Sequence, residues 1–84
     1  MNPELLLLID TPQSHRIGIR QMIESCGIDY TIKYMRESIP RMAKQERKEW
    51  EFKRERIGWW YGIDPKIDKV LNEFGIPDSR PNEK

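Results

Sequence analysis

One cysteine, one histidine and five scattered glycines among 84 residues remove several classes of function. A lone thiol, Cys26, cannot close an internal disulfide, so the chain suits a reducing compartment and is expected to be cytoplasmic. Cys26 stands at the end of an apolar helix face and reads as a small core residue rather than a reactive thiol. With His15 equally alone, no clustered set of metal ligands can form, and neither a metal nor another cofactor is expected. The glycines form no phosphate-binding loop. The longest apolar run, Leu5 to Ile9, falls well short of the roughly 20 residues that span a bilayer and lacks the basic flank of a secretory signal. Ser14 and His15 are adjacent, and neighbours in sequence do not face each other on a helix, so they make a poor nucleophile and base. Ser14 reads as a first-turn serine and His15 as a surface residue, and the chain as non-enzymatic.

What is present is charge. The composition is 35% charged against 37% hydrophobic, which leaves a thin core and a stability that is modest or aided by a partner. The length fits one domain. Residues 1–35 hold three bases and four acids, 36–56 eight bases and five acids, and 57–84 four bases and five acids, giving about −1, +3 and −1. The acids of the middle segment interleave with its bases and weaken any uniform attraction to phosphate.

Proline and glycine punctuate a series of helices. Asn2-Pro3-Glu4 offers a cap, a first-turn proline and an early acid before Leu5–Ile9, although five aliphatics in a row also suit a buried strand. Thr11-Pro12 repeats that start. Ile19, Met22, Ile23 and Cys26 then line one helix face, closed by Gly27, with Ile28 as the apolar contact of a Schellman cap. Asp29 is placed to cap a third helix carrying Ile28, Ile32, Met35 and Ile39. The same stretch alternates as a strand through Ile28, Tyr30, Ile32 and Tyr34, so 29–35 stays open between helix and strand. Ser38 and Pro40 are expected to begin a long charged helix that runs uninterrupted to Ile57. Gly58 and Gly62 bracket Trp59, Trp60 and Tyr61 in a turn. Asp64-Pro65 opens a last helix with Ile67, Val70, Leu71 and Phe74 on one face and Gly75 as its stop.

Two constellations point to binding. Residues two apart on a helix differ in direction by about 200°, so Trp50 and Phe52 cannot enter one face. Trp50 falls in line with Met42 and Ile57, which leaves Phe52 as a contact residue for an oligomer or another protein. Trp59, Trp60 and Tyr61, beside Arg56, extend that partner-binding set, because such rings bury much area at little entropic cost; they equally suit a thin core, with at least one ring partly exposed. The bases Lys53, Arg54 and Arg56 beside the rings would also suit a nucleic-acid backbone with base stacking. The second constellation is a helix, a glycine turn and another helix, the layout of a helix-turn-helix DNA-binding regulator. Tyr30, Lys33, Tyr34 and Arg41 would then face nucleic acid, with Glu37 among them opposing the phosphates.

The stretch from Leu5 to Met35, LLLLIDTPQSHRIGIRQMIESCGIDYTIKYM, resembles the opening strand, helix and strand of the thioredoxin-like fold of glutaredoxins and the amino-terminal domain of glutathione transferases. That resemblance covers about a third of the chain, implies an α/β fold, and sets Ser14 at the position of the family's catalytic Cys or Ser. The CxxC motif and the later cis-proline turn with its hairpin have no counterpart. The expected fold is therefore all-α, a bundle of four to five helices around the apolar side of the long charged one, with the thioredoxin-like opening as the α/β alternative. The domain is expected over residues 1–77 and a flexible tail over 78–84. The expected role is a protein-interaction or assembly module of the kind found among small phage and mobile-element proteins, with the DNA-binding regulator as alternative.

Overall fold

Thr11 and Asp64, each followed by proline, start helices where the sequence places them. In this computed structural model, which describes residues 3–80, Thr11 Oγ1 accepts from the Ser14 amide at 3.1 Å and Asp64 Oδ1 from the Lys66 amide at 2.8 Å. Each bond satisfies an amide that the first turn of a helix leaves without a partner. The elements are α1 (Pro3–Leu7), α2 (Pro12–Cys26), α3 (Ile28–Ala43), α4 (Arg47–Ile57), a 3₁₀ turn (Gly58–Trp60) and α5 (Pro65–Glu73). The fold is all-α, with no strand among the described residues. The cap expected at Asn2 lies outside them.

This architecture overturns the thioredoxin-like alternative. Leu5–Ile9 begins as helix, and 29–35 lies wholly within α3. The helical register prevails over strand propensity because Thr31, Met35 and Ile39, spaced four apart, all point into the core with 1% exposure or less. The Thr31 hydroxyl donates to the Gly27 carbonyl at 3.0 Å, which lets a polar side chain be fully buried. Gly27 forms no Schellman turn. It is a one-residue joint, its amide donating to the Ile23 carbonyl and its own carbonyl accepting from Thr31. Asp29 falls inside the first turn of α3 rather than at its cap.

The long charged helix is two helices. Pro40 sits inside α3 instead of opening a new helix, and the break falls at 44–46, where neither glycine nor proline marks it. The cause is tertiary. Met42, Trp50 and Ile57 all pack on one core. A straight helix would set Met42 and Ile57 about 22 Å apart along its axis, so the chain bends.

The core is centred on α2, α3, the 3₁₀ turn and α5, through Ile19, Met35, Ile39, Trp60, Ile67 and Leu71, and not around the charged helix, whose single buried residue is Ile57. Arg16 of α2 ties the turn down by donating to the carbonyls of Trp59 at 3.0 Å and Tyr61 at 2.7 Å. The Tyr61 hydroxyl donates to the Ile76 carbonyl, with the Asn72 side-chain amide 3.0 Å away. Burial raises its pKa, with smaller contributions in the same direction from Asp68 and Asp78. Ion pairs join α3 to α5 (Arg36–Glu73, 2.7 Å) and α4 to the turn after α1 (Arg56–Asp10, 2.6 Å). Of the expected tail, 78–80 includes an Arg80–Asp78 pair at 2.7 Å, and 81–84 lie outside the described residues.

Two assignments of burial are reversed. His15 is 8% exposed rather than a surface residue, because α1 and the 3₁₀ turn both pack on α2, and its ring meets Trp59 edge-on at 5.3 Å. Cys26 is exposed, because α3 begins directly after Gly27 and carries the apolar face onward from Ile28.

Candidate functional site

The two-turn apolar start of the chain cannot bury all of its side chains, since a helix has only one inward face. Leu7 packs on the core, while Leu5 and Leu8 are 57% and 79% exposed. The close seat of α1 on α2 depends on Gly18, where a Cβ would stand 3.0 Å from both the Leu7 side chain and the Pro3 carbonyl.

Between α1 and the edges of α3 and α4 this packing leaves an open cavity of about 470 Å³. Its walls are mainly apolar: Leu5, Leu7 and Leu8 on one side, Met42 and Ile57 on the other. Tyr34 also lines it, its hydroxyl bonded to Ser38; burial raises the Tyr34 pKa above the ordinary value, against that hydrogen bond. Lys53, Arg56 and Glu4 bring charge to the lining.

Two ring systems in the lining, His15 and Trp60, are more than nine-tenths buried. His15 Nδ1 and Trp60 Nε1 have no hydrogen-bond partner among the described residues. Burial, followed by the nearby positive charge of Arg56, lowers the His15 pKa against the opposing pull of Asp10. Both effects disfavour the protonated imidazole.

Phe52 is 53% exposed, as expected of the aromatic left off the α4 core face. The Arg56 guanidinium lies 3.5 Å from the centroid of its ring and also lines the cavity, so Phe52 is linked to that lining through Arg56. Stacking on an aromatic face and pairing with Asp10 together fix Arg56 in place. Trp59 is half-buried against His15. Trp60 and Tyr61, expected among the partner-binding residues, are 3% and 8% exposed and belong to the core, so neither offers a docking surface.

Of the four residues considered for nucleic acid, three share one exposed face of α3 and one does not. Tyr30, Lys33 and Arg41 are exposed on α3, whereas Tyr34 turns toward the cavity. The link between α2 and α3 is a single residue, shorter than the three- to four-residue turn of a helix-turn-helix.

Sequence reasoning missed the α1 rim and the buried His15. The first had a signal, since five consecutive aliphatics on a short helix must leave some exposed. The second had none, because what covers His15 comes from residues about 44 positions away. Comparison with known protein families, with curated proteins and with solved structures finds no match to this chain.

Proposed function

We propose that this chain is a non-enzymatic protein-interaction module of the cytoplasm that self-associates through the rim formed by Leu5, Leu8, Arg56 and Phe52. The observation that carries the reading is the exposure of large apolar side chains around Arg56 and the cavity it lines: Leu5 and Leu8 line the cavity, and Phe52 stacks on Arg56. Exposed apolar residues gathered at one concavity mark interaction surfaces, whereas single ones do not. A second copy is the favoured partner because the surface carries exposed apolar side chains together with both signs of charge. Phe52 is 53% exposed, and α4 mixes bases and acids, including the pairs Arg47–Glu51 and Lys53–Glu49. Two-fold pairing matches such mixed patches to each other.

Sedimentation equilibrium tests this. The expected mass is twice 10.1 kDa, and Phe52→Ala is expected to weaken association by tenfold or more, on the order of one hot-spot residue. A strict monomer at high protein concentration, or an unchanged dimer in Phe52→Ala, rules it out.

A second reading, a DNA-binding regulator, draws on one observation: Tyr30, Lys33 and Arg41 are exposed along α3. It requires salt-sensitive binding to duplex DNA that Lys33→Ala and Arg41→Ala both weaken. Glu37 in the same stripe and the one-residue link to α2 make it the lesser of the two.

A further inference from the structure

We infer that Arg56 is the positioning residue of the docking surface, a strap that fixes its two halves, Leu5 and Leu8 on α1 and Phe52 on α4, relative to each other; the inference rests on the self-association proposed for this chain. The two halves come from distant parts of the sequence, and packing alone holds the first of them weakly. Helix α1 has five residues, none of them buried, and meets chiefly α2. Arg56 reaches both sides. Its guanidinium lies 3.5 Å from the Phe52 ring centroid, the two residues being one turn apart and so on the same side of α4. Its Nη2 meets Asp10 Oδ1 at 2.6 Å. Asp10 stands between Ile9 and Thr11, the residue that caps α2, and the Thr11 amide donates to the Ile9 carbonyl at 3.0 Å. A contact at that joint sets the direction in which α1 leaves α2. The seat at Gly18 holds α1 down on α2, and Arg56 ties the joint to α4.

The chemistry of the side chain suits the task. A planar guanidinium can offer its face to a ring and its edge to a carboxylate at the same time, whereas an ammonium is a point charge without a face. The Arg56 side chain is 20% exposed, against 58% for Asp10, so the pair is less screened than one standing fully in water. The neighbouring ion pairs have a different reach. Arg47–Glu51 and Lys53–Glu49 stay within α4, and Arg36–Glu73 joins α3 to α5. Because one guanidinium makes both contacts, the loss of either partner frees Arg56 to move and weakens the other contact.

Amide exchange of Leu8 and Ile9 in the intact chain reads the hold on α1 without association, at a dilution where sedimentation gives the monomer mass of 10.1 kDa. Asp10→Asn is expected to speed both amides about fivefold relative to those of Ile19 and Met35. Phe52→Leu, which keeps an apolar side chain and loses the ring face, is expected to speed them about twofold from its place on α4. In the double variant the two effects are expected to combine to less than their product, since both act through Arg56. Glu73→Gln, which removes the pair between α3 and α5, is expected to leave the ratio unchanged. At higher concentration Asp10→Asn keeps Leu5, Leu8, Arg56 and Phe52 in place and is expected to weaken association about threefold or more. Parental exchange in Asp10→Asn, multiplicative effects in the double variant, or parental association in Asp10→Asn overturns the assignment. A parent chain that is monomeric at every concentration defeats the self-association itself, and that failure is told apart because the coupling through Arg56 is read in the monomer.

Discussion

His15 shows how one side chain can link stability to pH. Its imidazole is held below the ordinary value of 6.5, first by burial and then by Arg56, with Asp10 opposing. Between the folded and unfolded values the unfolded chain binds the extra proton, so stability rises with pH through that interval. The contribution is present in full above about pH 6.5 and is lost as pH falls through the lower folded value. Thermal melts from about pH 7.5 to about pH 5 should therefore show a falling midpoint in the parent chain, and a flatter profile over the same interval in His15→Phe. Glu73 and Asp78 do not interfere there. Hydrogen bonds from Arg36 and Arg80 hold both below their ordinary carboxylate values of 4.5 and 3.8, so they lose their contribution only further down. An identical slope in the His15→Phe variant would assign the pH dependence to some other group.

The joint between α2 and α3 rests on a backbone conformation rather than on contacts. Gly27 has φ 89° and ψ 161°, a region essentially closed to residues with a Cβ. A Cβ at that position would meet nothing within 4 Å. Gly27→Ala should therefore cost about 1–3 kcal/mol in urea denaturation with no steric clash to relieve, and a neutral result would mean that the joint relaxes into another geometry. This joint also marks how far the elements can be read from the sequence. Local chemistry sets α2 and α5, through the caps at Thr11 and Asp64 and the stops at Gly27 and Gly75, and both helices stand where those residues put them. The division of α3 from α4 has no such mark. Pro40 signals a start that the structure runs through, and the break at 44–46 answers the need of Met42, Trp50 and Ile57 to reach one core. The same distinction applies at the site: Phe52 is legible from angular spacing along one helix, whereas the burial of Trp60, Tyr61 and His15 comes from the turn and α2 meeting across the fold.

At the scale of the molecule, stability is unevenly distributed, and the unevenness falls on the cavity. The helices α2, α3 and α5 supply most of the fully buried side chains, including Ile19, Met35 and Leu71 at 0% exposure. By contrast α1 has five residues, none of them buried, and packs chiefly against α2 while the cavity parts it from the edges of α3 and α4. Regions with few buried apolar contacts open locally, at a free energy below that of global unfolding. The Leu8 and Ile9 amides bond to the Leu5 and Leu6 carbonyls at 3.2 Å, so their exchange reports the opening of α1 directly. Native-state hydrogen exchange should find these two amides at least about a hundredfold less protected than those of Ile19, Met35 and Leu71. Because α1 forms one wall of the cavity, a ligand that binds only the closed form must slow that exchange by the factor 1 + [L]/Kd. Equal protection of Leu8 and Ile19 in the free chain would show instead that α1 unfolds with the whole bundle, and that the cavity has a fixed wall rather than one that opens.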